Sequence, residues 1–344
     1  MRQRFLGAKK WARHLHVQPP PGISFTGLPV ETAPGGHVDL QTFQQRAFIP
    51  QKPFLIRKDT GSSSFVFPAA IKWFGKSLPG PNSSPTGSYR TFSLYLKTFQ
   101  EWPFPYELMI PNGAEHMGSV LKFHDWLLSR EDIQDQTLAE IIRPVVSDSS
   151  EAQRFFQLYA PLRLLRRAVE FNMDLTRPAM CPIHLYIAQS LISDLPQDLQ
   201  DDIPTPELVL KAGKGDVYSS SIWLGAEPTY TPLHRDPNPN LFYQLCGNKS
   251  LRLLTPAHGD RVFLDIQTQL GRHGSSRIRT TEMMEGEERQ MLHDIIWNTH
   301  PQENVYSVDV GPGDSLFIPK GWWHSVKSMG TEGGLNGSVN WWFR

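Results

Sequence analysis

Two cysteines in 344 residues, Cys181 and Cys246, cannot build a disulfide framework, and their spacing makes no CxxC. That argues against structural zinc and for a reducing intracellular compartment. No apolar run approaches the ~18 residues that a membrane span needs, so no membrane partner is expected. Charge of one sign is not in excess either. With Lys plus Arg and Asp plus Glu both at 34, no whole-chain field attracts nucleic acid, and such a partner is not indicated. Acids are missing from the N-terminus, where Arg2, Arg4, Lys9, Lys10 and Arg13 all precede Glu31. Such a start reads either as a mitochondrial transit segment or as the ordinary basic beginning of a cytoplasmic or nuclear protein. Pro19-Pro20-Pro21-Gly22 ends any helix there.

What is present supports one large core: 39% hydrophobic and 11% aromatic residues. Three regions are expected: a basic segment 1–30, a strand and helical region 31–170, and a β-rich core 171–344 with an insertion at 255–304. FIPQKPFLIR (48–57) reads as a Pro-punctuated entry into a strand, and the Gly/Ser/Pro-rich stretch 76–88 as a surface loop. Val120, Phe123, Trp126 and Leu127 recur at helical spacing, and 150–171 is a second helical candidate, interrupted by Pro161. From about Ser219 short β-like runs follow one another: SIWLGA, LFYQLC, KSLRLL, VYSVDV, DSLFIP and SVNWWF. Many short strands with Gly/Pro turns imply a sandwich or jelly-roll, mainly β with flanking helices. The insertion carries a charged helical piece, EGEERQMLHDIIW, which reads as a lid or as a solvated excursion.

His-x-Asp occurs three times, at His37/Asp39, His234/Asp236 and His258/Asp260, so the tripeptide alone decides nothing. On a strand, residues two apart share a face, so His234 and Asp236 converge while Arg235 points away. His324, in GDSLFIPKGWWHSV, supplies a third ligand. Two imidazoles and a carboxylate with open positions suit non-haem Fe(II), and also catalytic zinc. Lys249 separates the two. LFYQLC-GN-KSLRLL looks like a hairpin with a Gly247-Asn248 turn, in which Lys249 opposes Cys246 and shares a face with Leu251 and Leu253, opposite Asn240, Phe242 and Gln244. A lysine on an apolar inner face is costly unless an anion meets it, whereas one at a hairpin end keeps its ammonium in water.

The stretch Thr231-Pro-Leu-His-Arg-Asp-Pro-Asn-Pro-Asn240 with Gly247-Asn-Lys249, then Phe317-Ile-Pro-Lys-Gly-Trp-Trp-His324 and Asn340-Trp-Trp-Phe, resembles the JmjC (jumonji-C, cupin-like) oxygenases. It is closest in style to the small jumonji-only protein hydroxylases, among them factor inhibiting HIF and the JmjC arginyl and lysyl hydroxylases. The resemblance covers about residues 180 to 344. It implies a double-stranded β-helix core and Fe(II), 2-oxoglutarate and O2 as cofactors, with iron on His234, Asp236 and His324. Thr231 and Lys249 would receive the distal carboxylate of 2-oxoglutarate, helped by Tyr186, while Asn240 and Asn340 would lie near its metal-binding end. Tyr186 reads equally as an ordinary buried tyrosine and Asn340 as a structural amide. His258, His273, His293 and His300 have no ligand-like partners and read as surface histidines of the insertion.

By the same resemblance the reaction is hydroxylation of a protein or peptide side chain, with succinate and CO2 as co-products. N-methyl-lysine demethylation, tRNA or small-molecule oxygenation, and a non-catalytic jelly-roll binding role are the alternatives. The tryptophans Trp322, Trp323, Trp341 and Trp342 read as core and rim packing. Because the chain ends at Arg344, directly after the last strand, a monomer is expected.

Overall fold

The computed structural model describes residues 27–33, 37–58, 66–76, 90–147, 154–174, 181–272, 274, 284–298, 304–331 and 333–344. Residues 1–26 of the basic N-terminal segment and nearly all of the 76–88 loop lie outside them. The strands in chain order are β1 Leu28–Pro29, β2 Glu31–Ala33, β3 Phe54–Ile56, β4 Phe74–Lys76, β5 Arg90–Phe92, β6 Pro103–Met109, β7 Phe155–Pro161 and β8 His184–Leu191. They continue as β9 Val217–Ala226, β10 Tyr230–Arg235, β11 Asn240–Cys246, β12 Lys249–Leu254, β13 Val305–Val310, β14 Ser315–Ile318, β15 Trp323–Ser328 and β16 Leu335–Phe343. One sheet runs β1-β13-β12-β15-β10 and a larger one β2-β3-β14-β11-β16-β9-β8-β6-β7, with β4 and β5 forming a separate pair.

The two sheets face each other as a jelly-roll. β11 and β16 are buried at every residue, as strands covered on both faces must be. Inside, an apolar cluster including Leu55, Phe242, Leu251, Leu253, Leu316 and Ile318 joins the sheets at one end. Outside the larger sheet, Leu241, Tyr243, Phe317, Val339 and Trp341 pack in a continuous core that includes buried residues of the helices Ala114–Leu128, Ile133–Ser147 and Arg163–Asn172. The first of these helices buries Val120, Phe123 and Leu127, the helical spacing read from the sequence. The last anchors Arg167 to the fully buried Asp135, Nε to Oδ1 at 2.8 Å.

Two expectations need correction. LFYQLC and KSLRLL do not pair: β11 lies between β14 and β16, and β12 between β13 and β15, so Lys249 is opposite Val310 and Ser328 rather than Cys246. Both edges of β11 are already taken, and Gly247, at φ +70°, turns the chain across to the facing sheet. Lys249 nonetheless shares the inner face with Leu251 and Leu253. The second helical candidate is half strand, because FFQLYAP pairs with β6 as β7 and the helix starts only at Arg163, beyond Pro161. The stretch 48–57 does lead past Pro50 and Pro53 into a short strand, Phe54–Ile56, with the helices Leu40–Phe43 and Gln44–Phe48 before it.

The described part of the insertion forms the helices Pro256–Leu270 and Gly286–His293, which pack behind the smaller sheet. Val262, Phe263, Ile266 and Leu292 meet Leu233, Leu254 and Trp323 there. The approach is close: a Cβ on Gly259 would sit 2.1 Å from Cδ1 of Trp323. Gly259→Ala is therefore expected to destabilise the fold by about 1–3 kcal/mol, the usual cost of overpacking. Urea unfolding against the wild type measures it.

Candidate metal centre

β10 and β15 run antiparallel with His234 opposite His324, their ring centres 4.2 Å apart. A bulge between Thr231 and His234 shifts the register, and Asp236 follows just beyond the end of β10. One ligand atom from each of His234, Asp236 and His324 lies within 4.8 Å of the others. Nδ1 of His234 is 2.8 Å from the Pro232 carbonyl, and Nδ1 of His324 is 3.2 Å from the Trp322 carbonyl. A carbonyl only accepts, so each Nδ1 carries the proton and each Nε2 presents its lone pair. Those Nε2 atoms stand 3.9 and 3.6 Å from the Asp236 carboxylate. Burial, reinforced by His324, pushes His234 well below the usual imidazole range, so it is neutral and ready to ligate.

The carboxylate is itself held. Trp342 donates its indole N–H to Oδ2 at 2.7 Å, Asn240 donates its amide to the same oxygen at 3.2 Å, and Asn340 donates to Asn240 Oδ1 at 2.9 Å. Such supporting hydrogen bonds fix ligand orientation at metal sites. Arg235 points outward, pairing with Asp260 at 2.7 Å and stacking over Trp323. The other two His-x-Asp pairs are structural, since Asp39 caps the helix Leu40–Phe43 and Asp260 accepts from Arg235 and the Trp323 indole. Three preformed ligands with open positions fit a divalent cation such as Fe(II).

The triad opens into a cavity of about 200 Å³. Lys249 lines it, 1% exposed, with its ammonium donating to Ser338 Oγ at 2.9 Å and Tyr186 Oη at 3.3 Å. Burial pulls its pKa down to about 7, only partly offset by the field of Glu227. Tyr186, pushed up by burial, keeps its proton, and Thr231 adjoins it. The cavity thus has ligands at one end and a desolvated cation with three hydroxyls at the other.

All the residues singled out from the sequence line or support this cavity. Two more were not found in that way: Ser338, on Lys249, and Trp342, placed with the packing tryptophans but bonded to Asp236. The parity of 338, 340 and 342 along β16 was the signal available. Trp322, Trp323 and Trp341 do pack. Among the described residues no part of the insertion lines the cavity. His293 is half-buried between helix and sheet rather than a surface residue, whereas His273 and His300 lie outside the described residues.

Residues 134–344 match the cupin-like domain family. The chain is 30% identical over 147 residues to lysine-specific demethylase JMJ30 of Arabidopsis thaliana, a match covering 42% of this chain and 31% of that one. It is 29% identical over 159 residues to lysine-specific demethylase 8 of Danio rerio, covering 46% and 36%. To JmjC domain-containing protein F of Dictyostelium discoideum it is 31% identical over 176 residues, covering 46% and 35%. The matched part is thus about a third of each relative's length. No helix among the described residues is long and apolar enough to cross a membrane.

Trp342→Phe keeps the ring and removes the N–H that steadies Asp236. It is expected to weaken divalent-metal binding roughly 10- to 100-fold, and His234→Ala to abolish it, both read by Mn(II) calorimetry.

Proposed function

The chain belongs to the cupin-like, JmjC family, and from that premise we propose that it is an Fe(II)- and 2-oxoglutarate-dependent oxygenase acting on a protein side chain. The observation that carries the reading is Lys249: a buried ammonium within the same 200 Å³ cavity as the triad, whose hydrogen bonds among the described residues go to hydroxyls and not to a carboxylate. An uncompensated buried cation is costly, and the distal carboxylate of 2-oxoglutarate would compensate it.

Iron with 2-oxoglutarate and O2 supplies the oxidising power that replaces a substrate C–H with C–OH as the cosubstrate becomes succinate and CO2. The chain does the rest. His234, Asp236 and His324 would hold the metal beside the cavity. Asn240 and Trp342 keep the carboxylate from rotating, with Asn340 behind Asn240. Lys249, Ser338, Thr231 and Tyr186 would form the slot for the distal carboxylate.

Hydroxylation and N-methyl demethylation begin with the same attack on a C–H bond, and a hydroxymethyl amine then loses formaldehyde. The names of the relatives JMJ30 and lysine-specific demethylase 8 favour the second product. A peptide library carrying free and methylated lysines separates them: formaldehyde release marks demethylation, and retained oxygen by mass marks hydroxylation.

The first test is turnover of 2-oxoglutarate to succinate by the Fe(II)-loaded protein under O2. Slow turnover is expected in the wild type and none in His234→Ala, while Lys249→Met needs much more cosubstrate. Failure of both iron and 2-oxoglutarate to bind the folded chain would leave a jelly-roll scaffold in place of an enzyme.

A pH dependence follows. Free Lys249 titrates near 7 and the bound anion favours its protonated form, so 2-oxoglutarate binding takes up a proton above pH 7. Affinity should hold below that pH and fall about tenfold per unit above it, until the lysine pKa of the complex is reached. Calorimetry in buffers of different ionisation enthalpy reads both. A flat profile in wild type would show that Lys249 stays charged in the free protein.

A further inference from the structure

The chain crosses from β11 in the larger sheet to β12 in the smaller one over Gly247 and Asn248, and Lys249 is the first residue beyond the crossing. A hairpin would close such a turn with hydrogen bonds between its own two strands. Here the two strands do not pair, so the carbonyls of the crossing must find partners elsewhere. Gln244 and Asn336 supply them. Gln244 donates through Nε2 to the carbonyls of Cys246 at 2.7 Å and Gly247 at 3.1 Å, and to Asn336 Oδ1 at 3.0 Å. Asn336 donates through Nδ2 to the Asn248 carbonyl at 3.1 Å and to Glu227 Oε1 at 2.8 Å. The Met329 N–H also reaches the Asn248 carbonyl, at 2.9 Å. Three successive carbonyls are thus held by two side chains that are themselves fully buried.

The knot has one arrangement. All three bonds of the Gln244 amide run through its nitrogen, while its Oε1 is buried without a hydrogen-bond partner. Turning the amide over would set oxygen against three oxygens. Gly247 stands at φ +70°, and a Cβ there would lie 2.5 Å from Asn336 Nδ2, so the asparagine packs against bare backbone. Asn336 is also two residues from Ser338 on β16 and opposite Gly225, which is itself opposite Tyr186. Ser338 and Tyr186 are the hydroxyls that receive the Lys249 ammonium. The backbone from which Lys249 springs and the groups on which its head rests are therefore referred to the same stretch of the larger sheet.

We propose that Gln244 and Asn336 are positioning residues for the cosubstrate, acting through Lys249 by fixing the crossing that delivers its ammonium to the cavity. The inference rests on the reading of that cavity as a 2-oxoglutarate site. Neither residue lines the cavity, so neither touches the anion. What they contribute is order in advance. A lysine stem has many rotamers, and one that had to be ordered as the anion arrived would cost affinity. With its root tied at 246 to 248 and its head on two hydroxyls, Lys249 is ordered before the anion binds.

The test is calorimetry of 2-oxoglutarate binding to the whole Mn(II)-loaded chain, with Mn(II) affinity as the check that fold and triad persist. Gln244→Met and Asn336→Leu keep the volume and remove the donors. Each is expected to weaken 2-oxoglutarate roughly tenfold or more, the loss of about one good hydrogen bond, with Mn(II) affinity within about twofold of wild type. In a Lys249→Met chain the same substitutions should change 2-oxoglutarate affinity less than about twofold, because nothing is left to position. Gly247→Ala presses on Asn336 from the backbone side and should weaken 2-oxoglutarate in the same selective way; it decides the matter if the first two variants lose Mn(II) as well. Unchanged 2-oxoglutarate affinity in the variants, an equal loss in the Lys249→Met chain, or a loss that extends to Mn(II) in all three overturns the inference and leaves the cavity reading standing. A wild type that binds Mn(II) but no 2-oxoglutarate overturns both.

Discussion

A carboxylate enclosed between two sheets must be met by donors or by a cation, and the interior of this fold is arranged around that need of Asp236. Its two hydrogen bonds come from Trp342 and Asn240, on β16 and β11 of the larger sheet. The imidazoles facing it come from β10 and β15 of the smaller one. The candidate metal centre is thus where the sheets are tied, and a cation there would satisfy the acid from the remaining side. Asn340 supports Asn240 in turn, so a polar line runs beside the apolar cluster that joins the sheets.

At the other end of the cavity the sign is reversed. Lys249 comes from β12 of the smaller sheet and Ser338 and Tyr186 from the larger, so the ammonium is again shared by both layers. An elongated dianion with one end that chelates and one that ion-pairs matches this polarity in a single orientation. Selection for such a molecule over a monocarboxylate follows from the unmet charge that the latter would leave behind.

Much of this was legible in the sequence, for a physical reason. The parity of a strand is local, so the convergence of His234 and Asp236, the outward turn of Arg235 and the inward face of Lys249 could all be read from spacing. Strand partnership is not local. Gly247-Asn248 has the composition of a hairpin turn, yet β11 already has neighbours on both edges, and those neighbours, β14 and β16, lie some 70 to 100 residues on. FFQLYAP was misread because the helix that follows it blurred two periods into one. Trp342 was misplaced because its role depends on one indole hydrogen, and the Trp-Trp pair looks the same whichever ring faces the ligands. The insertion was the least legible part, since charged helices of that composition pack on a sheet or stand in solvent with equal ease.

The boundaries of the family match and of the fold do not coincide. The match begins at residue 134, but β3 closes one flank of β14, and β6 lies between β7 and β8. A fragment trimmed to the matched segment would strip β14 of its neighbour and leave β7 without a partner. It would present unpaired backbone on β14, β7 and β8, a surface that recruits other chains. The residues before the recognisable motif act as a selvedge, finishing the weave so that the part bearing the chemistry can remain a single molecule.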